Sequence, residues 1–252
     1  MAASLGTPRE EFLQSVRLAL GREAGPPDPR YHRLEQTLPE LEAQAEEIHR
    51  RVAENRDALL DRLAEVAMRS GWKVCRYSNP EEAVEYIGAL AQGLEGDKVV
   101  RSAQEVFHQV PVDGALTALG LSVTVMASSV QESGDDTPSQ QHRQEAEAAR
   151  LGITGVDYAV AETGSVVLMP RRGISRLVSL LPPVHVALVR PQDIVESLDD
   201  LFLLRRLEYH RNGGEMGSYL NFITGPSRTA DIEQTLVVGV HGPKEVHMVL
   251  LG

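Results

Sequence analysis

The strongest constraint on the fold is an alternation that begins at Trp72, where short runs of β-branched and apolar residues alternate with stretches of helical periodicity. Such alternation is typical of α/β domains. The runs predict strands over 72–77, 98–101, 122–127, 158–162, 165–169, 184–189, 219–224 and 246–251. The periodic stretches predict helices over 81–92, 104–109 and 192–209, a helix that ends near residue 152, and a helical turn over 231–236. We therefore expect one α/β domain over residues 71–252.

The first 70 residues have a helical pattern and are expected to form an extension of that domain. A short amphipathic helix stops at Gly21, residues 21–30 are rich in glycine and proline, and a second helix is predicted over 39–70. The second helix has a heptad-like apolar seam that Asn55 and Arg62 interrupt. The broken seam favours packing against the protein's own body, and a partner helix or a dimer seam is the alternative.

Charge and cysteine content exclude several classes of function. Lys and Arg number 25 against 36 Asp and Glu, a net charge of −11, which argues against nucleic-acid binding but permits a local pocket for a small anion. Cys75 is the single cysteine, so this chain forms no intrachain disulfide, and by itself it is expected to hold no iron–sulfur cluster. The amino terminus lacks a secretory signal, and the most apolar stretch, 177–189, is too short to cross a bilayer. We expect a cytoplasmic protein with no membrane span.

The common nucleotide, metalloprotease and hydrolase fingerprints are absent from the sequence, and three polar turns remain as candidates. The first follows the strand that ends at Thr224 and runs from Gly225 through Ser227, Arg228 and Thr229 to Asp231 and Glu233. Free backbone N–H groups, two hydroxyls and a guanidinium at a helix start suit a phosphate or carboxylate. The alternative is an ordinary capped helix with Arg228 in solvent.

The second candidate turn contains Glu162, Thr163 and Gly164 between two apolar strand halves. A carboxylate on such a rigid turn suits a nucleophile or a general base, or simply faces water. Asp157, a little earlier, is explained by a turn or a cap.

The third candidate turn is Gly239 to Pro243, in which glycines flank His241. The histidine suits an acid, a base or an anion ligand, and Gly242 allows a ligand to approach closely. Spacing and the lack of thiolates argue against a zinc pair of His241 and His247, so no metal site is predicted. His185 is interpreted as a core histidine.

A weaker anion site is an arginine cluster around Gly173, whose alternative is a solvated surface. It contains Arg171, Arg172 and Arg176.

Five segments, in this order, resemble the LUD-domain lactate-utilisation proteins of the LutC/YkgG type. They are Gly152-Ile-Thr-Gly-Val-Asp157, Ala161-Glu-Thr-Gly164, Leu180-Leu-Pro-Pro-Val-His185, Ile223-Thr-Gly-Pro-Ser-Arg-Thr-Ala-Asp-Ile-Glu233 and Gly239-Val-His-Gly-Pro243. The resemblance implies a three-layer α/β/α domain related to the NagB/RpiA/CoA-transferase-like superfamily. It also implies a bacterial system that oxidises L-lactate to pyruvate together with iron–sulfur partner proteins. No cofactor is specified.

The resemblance also extends to the catalytic glutamate turn of family I CoA transferases. On that likeness Glu162 would attack an acyl thioester, although Thr163 stands where those enzymes have asparagine.

Our leading hypothesis is a component of the lactate-oxidising system that binds a small anion between the three turns. Ser227, Arg228 and Thr229 would hold the anion, Glu162 or His241 would handle a proton, and Asp231 would orient one of them. The alternatives are a stand-alone acyl- or phosphate-handling enzyme that uses Glu162, and a non-catalytic assembly or regulatory subunit for iron–sulfur partners.

Overall fold

The structure is a computed structural model that describes residues 9–21, 36–126, 137–171, 174–214, 219–230 and 236–252. The chain divides into two compact units, Met1–Glu40 and Leu41–Gly252. In the first unit, helix α1 (Arg9–Ala19) has no buried residue, and it confirms the short helix predicted ahead of Gly21. Most of the glycine- and proline-rich segment lies outside the described residues.

The other elements follow in chain order. The helices are α2 (Leu38–Glu54), α3 (Arg56–Ser70), α4 (Pro80–Gln92), α5 (Val106–Gln109), α6 (Val112–Ala118), α7 (Thr137–Ala148), α8 (Leu177–Leu180) and α9 (Leu198–Arg211). The strands are β1 (Lys73–Tyr77), β2 (Lys98–Arg101), β3 (Ser122–Val125), β4 (Leu151–Gly155), β5 (Tyr158–Val160), β6 (Ser165–Leu168), β7 (Val184–Val189), β8 (Ile194–Val195), β9 (Asn221–Ile223), β10 (Arg228–Ala230), β11 (Leu236–Val238) and β12 (Glu245–Leu251).

Six strands form the main sheet in the order β1-β12-β7-β4-β2-β3, and every neighbouring pair is parallel. Every residue of β4 and β7 is buried, as expected for a parallel sheet covered on both faces. The chain passes from β2 to β3 towards one edge of this sheet and from β4 to β7 towards the other. The direction of connection therefore reverses between β2 and β4.

Helices cover both faces of the main sheet. On one face α4 and α6 pack through Ile87 and Leu116. On the other face α3 packs through Leu63, and α7 and α8 pack through Ala146 and Val178. This arrangement is the three-layer α/β/α fold that the resemblance implies.

A second sheet, absent from the prediction, has the order β8-β5-β6-β9. It shares a core with α3 and the main sheet, and α2 and α9 cover its outer face. Its strands β5 and β6 pair antiparallel, and Gly164 turns between them with a φ of 65°. The antiparallel pairing confirms the predicted hairpin. Glycine suits the turn, because it tolerates this left-handed backbone conformation.

The single helix predicted over 39–70 is wrong, because α2 ends at Glu54 and α3 starts at Arg56. Between them Asn55 takes φ −113° and ψ 19°, and its side-chain Nδ2 donates to the carbonyl of Arg51 at 2.9 Å. An asparagine side chain that bonds the backbone in this way competes with regular helix. Both helices pack on the protein's own body, through Ile48 in α2 and Leu63 in α3.

The predicted carboxyl end of the next helix, near Gly152, is also wrong. Helix α7 stops at Ala148, and residues 151–155 form β4 in the middle of the sheet. Two glycines in five residues weaken the strand pattern in the sequence. Gly152 is required by packing, since a Cβ atom there would clash with the carbonyl oxygen of Val178.

The helix predicted over 192–209 starts too early. Residues 191–193 form a 3-10 turn, and Ile194 and Val195 form β8 beside β5. Helix α9 begins at Leu198, where the hydroxyl of Ser197 accepts a hydrogen bond from the N–H of Asp200 at 3.2 Å.

Candidate functional site

A cavity of about 380 Å³ opens at the carboxyl edge of the main sheet. Residues that follow β2 and β4 form its walls, so it lies where the direction of connection reverses. Open α/β sheets bind ligands in this position, because the connections that leave the two neighbouring strands run in opposite directions and leave a crevice between them. The polar side chains that line it are Gln104, Glu105, Asp157, Arg171 and Arg190.

Asp157 is the buried carboxylate of this cavity, and the β5–β6 hairpin with the segment after it holds it in place. Its Oδ1 lies 2.7 Å from Nη1 of Arg171, and its Oδ2 accepts from the N–H of Met169 at 2.6 Å. The Asp157 side chain is 7% exposed, whereas that of Arg171 is 51% exposed. The guanidinium therefore reaches solvent at the mouth while a buried charge anchors it.

Arg190 follows β7 and is fixed by a bidentate ion pair. Its Nε and Nη2 donate to Asp193 at 3.0 and 2.8 Å, and its backbone N–H donates to the same carboxylate. This pairing raises the pKa of Arg190, so the side chain stays charged. Burial raises the pKa of Asp193, and the bonds from Arg190 oppose that rise. Nη1 of Arg190 has no hydrogen-bond partner among the described residues.

The segment after β2 adds a carboxylate and an amide to the lining of the cavity. Glu105 is exposed, and Gln104 is half-buried above Gly155. The walls of the cavity thus carry two cations and two carboxylates, and one of these carboxylates, Asp157, is paired with Arg171. A large polyanion would meet Glu105 and Asp157, which repel it.

The predicted turn at Glu162 lies elsewhere, beside the last turns of α3. Glu162 is exposed, and its Oε2 accepts from the backbone N–H of Leu198 at 3.1 Å, at the start of α9. A Cβ atom on Gly164 would lie 2.5 Å from the backbone nitrogen of Ala67. Thr163 donates to Ser165, whose hydroxyl lies 2.8 Å from that of Thr224.

The first and third predicted turns contact each other through Ser227. Its backbone N–H donates to Pro243 at 2.9 Å, and its hydroxyl accepts from the N–H of His241 at 3.2 Å. A Cβ atom on Gly242 would lie 3.4 Å from Cβ of Ser227. The imidazole of His241 is exposed, so the contact between the turns is made by backbone and hydroxyl groups.

Arg228 and Thr229 do not start a helix, which corrects the prediction for this segment. They lie in β10, which pairs with β11 in a separate two-stranded hairpin, and Leu236 is the first residue of β11. Asp231 and Glu233 lie outside the described residues. Gly225 has a φ of 156° and packs closely on the carbonyl of Ser70.

The predicted turns and the cavity occupy different edges of the main sheet. The Gly239–Pro243 turn leads into the amino end of β12, and Arg228 contacts Gly71 just ahead of β1. Sequence reasoning placed Arg171 in its weaker cluster and interpreted Asp157 as a turn residue. Recognising β4 would have exposed Asp157 as a residue that follows the carboxyl end of a strand. Arg172 and Gly173 lie outside the described residues.

Within the described ranges, no group of three or more His, Cys, Asp or Glu side chains is arranged to hold a metal ion. Among the helices of those same ranges, none has the length and apolar character needed to cross a bilayer.

Fold and cavity together define a three-layer α/β protein with a polar crevice at the reversal of its parallel sheet. The chain belongs to the LUD-domain family, whose family model matches residues 60–251. It is 33% identical over 239 residues to lactate utilization protein C of Halalkalibacterium halodurans, covering 93% of this chain and 94% of that protein.

Two Bacillus subtilis proteins also match. Lactate utilization protein C is 40% identical over 117 residues, 46% of this chain and 48% of that one. Lactate utilization protein B is 28% identical over 284 residues, 96% of this chain and 55% of that one, so this chain spans about half of that relative. Among solved structures, a DUF162 family protein from Deinococcus radiodurans has a TM-score of 0.47 and 22% identity, and it covers 78% of this chain and 98% of its own.

Proposed function

We propose that this LUD-domain chain is a cytoplasmic component of lactate utilisation and binds a small carboxylate in the carboxyl-edge cavity. The names of its relatives support the role in lactate utilisation. The second part rests on one observation: Arg171 and Arg190, each anchored by a buried aspartate, line one cavity at the reversal of the sheet.

Guanidinium groups fixed in this way suit carboxylate recognition. An arginine offers planar N–H pairs that match the two oxygens of a carboxylate, and anchoring reduces the entropy lost when the ligand binds. The neighbouring Asp157 and Glu105 would accept hydrogen bonds from a hydroxyl group of the same ligand. A 2-hydroxy acid such as lactate has both groups.

The turns predicted from the sequence remain a second proposed location for the anion. Contacts between Ser227 and the His241 turn favour a shared site at the amino edge of the sheet. In that case Arg228 and Thr229, with Ser227, would hold the anion.

Arginine substitutions distinguish the two locations. We expect Arg171→Gln to weaken binding of L-lactate or pyruvate by roughly tenfold or more, the loss of one charge-assisted hydrogen-bonded pair. Isothermal titration calorimetry measures the dissociation constant. The melting temperature should fall, because the substitution leaves the buried carboxylate of Asp157 without its cation, so the titrations are made well below the unfolding transition.

Arg228→Ala is the matched control, since it removes an exposed arginine far from the cavity. Under the cavity proposal it leaves the affinity unchanged. The opposite result, affinity lost in Arg228→Ala and kept in Arg171→Gln, would move the binding site to the predicted turns.

We also propose that the chain works together with partner proteins in a multi-protein system. Because Cys75 is the single cysteine, any iron–sulfur clusters of such a system would belong to partner proteins. The buried residues of α2 and α3 belong to the core, so truncation at residue 70 would damage the fold. A test of partner docking by the amino-terminal extension should therefore remove only residues 1–35, and intact binding of partners would show that docking does not need these residues.

The acyl-transfer hypothesis for Glu162 is tested separately. Its exposed carboxylate on a rigid turn favours the idea, and the hydrogen bond from Leu198 gives that carboxylate a capping role as well. Failure to find a hydroxylamine-sensitive Glu162 adduct after incubation with acyl-CoA would remove it.

A further inference from the structure

The amide of Gln104 is fixed on the cavity wall by a buried hydroxyl beneath it. Ser102 is fully buried, and its Oγ donates to Oε1 of Gln104 at 2.6 Å. The backbone N–H of Ser102 in turn donates to the carbonyl of Ile153 in β4 at 3.0 Å. The orientation of the Gln104 amide is thus tied to the main sheet.

Gly155 supplies the floor on which Gln104 lies. A Cβ atom on Gly155 would lie 3.2 Å from both Cβ and Cδ of Gln104 and 2.8 Å from Cγ1 of Val106. Any larger residue would push the amide away from its place. A glycine in a central strand is costly to strand formation, and here it permits this close approach.

Since Oε1 is bound by Ser102, Nε2 is the end of the amide that remains for a ligand. Nε2 has no hydrogen-bond partner among the residues that the structure describes. It shares the cavity with Arg190, whose Nη1 likewise lacks a partner within the described ranges. Two donors of this kind suit the oxygen atoms of a carboxylate.

We infer that Gln104 is the specificity-determining residue of the cavity, with its amide nitrogen donating to a carboxylate oxygen of the ligand. Ser102 and Gly155 are positioning residues that set the direction of this donor. The inference rests on the proposed function, which puts a carboxylate in the cavity. It adds that the site distinguishes a carboxylate from a primary amide of the same shape, because an amide nitrogen would meet another donor.

Gln104→Glu tests the inference, since it keeps the shape of the side chain and replaces the donor with a charged acceptor. We expect the dissociation constants of L-lactate and pyruvate to rise roughly 10-fold to 100-fold. The affinity for L-lactamide should stay equal or increase, so the ratio of the two affinities reverses. A purely structural role of Gln104 would lower both affinities together. Calorimetric titration of the full chain measures the dissociation constants of L-lactate, pyruvate and L-lactamide.

Gln109→Glu is the matched control, because it makes the same change at an exposed position in α5, outside the cavity. It should leave every affinity unchanged. Ser102→Ala should reduce the preference for lactate over lactamide without reversing it, since the amide then rotates freely.

The outcomes separate this inference from the proposed function. If wild type binds L-lactate and the binding needs Arg171 but not Gln104, the inference fails and the proposed function stands. If wild type prefers L-lactamide to L-lactate, the amide faces the cavity with its oxygen and the inference fails. If wild type binds no carboxylate, both fail.

Discussion

Gly152→Ala is expected to lower the free energy of unfolding by about 3 kcal/mol, the upper part of the range for overpacked cores. The new methyl group would clash with the Val178 carbonyl and lie 3.1 Å from Cγ of Pro182. Both belong to the segment that packs on the middle of the sheet, so neither moves without disturbing β4 and β7. For a chain of this size the melting temperature should fall by about 6–12 °C.

Gly114→Ala is the control for this substitution. Gly114 lies within α6, and an ideal Cβ there meets nothing within 4 Å. Alanine has a higher helix propensity than glycine, so the free energy of unfolding of this variant should rise by about 0.5–1 kcal/mol. Thermal unfolding followed by circular dichroism compares the two. Equal melting temperatures would mean that the backbone around Val178 accommodates a side chain.

The chain is expected to lose stability on acidification through its buried histidine. His185 is fully buried on β7, with Nε2 2.9 Å from the hydroxyl of Thr154. Burial, and secondarily the charge of His247, lower the pKa of His185 to about 3 from its ordinary 6.5. The unfolded chain therefore binds a proton that the folded chain excludes. Neutral His185 makes its full contribution to the free energy of unfolding above pH 6.5. This contribution is lost as the pH falls towards 3, at up to about 1.4 kcal/mol per pH unit.

His185→Gln removes the titrating group and keeps a polar contact for Thr154. Urea unfolding at several pH values between 3.5 and 7 should give a flatter dependence of the unfolding free energy on pH than wild type shows. His108→Gln, at an exposed position, should follow wild type. Parallel curves for wild type and His185→Gln would contradict the assignment.

The predicted elements that the structure confirms are those with a strong local pattern. Val184–Val189 is a run of apolar residues interrupted only by His185 and bounded by Pro183 and Arg190, and it forms β7 as expected. Strand β4 was missed because its stability comes from its neighbours. Gly152 and Gly155 have little intrinsic preference for a strand, and only the packing of Val178 and Gln104 against them explains their presence.

The candidate site was harder to predict for a related reason. Four of its five polar residues follow β2, β4 and β7, which are distant in sequence and become neighbours only in the finished sheet, and the fifth, Arg171, follows β6 of the second sheet. Asp157 and Arg190 give no local signal of their own. The turns with strong local motifs, at Ser227 and His241, do contact each other, yet they lie at the other edge of the sheet.

The strand order also has a consequence for biosynthesis. Among the described strands β12 comes last in chain order, and it lies between β1, which comes first, and β7. While residues 245–251 are still inside the ribosome, β1 has no neighbour, and both it and β7 present unpaired edges. Pairing between segments so far apart in sequence is slow. Both of these edges are closed only when β12 pairs with them.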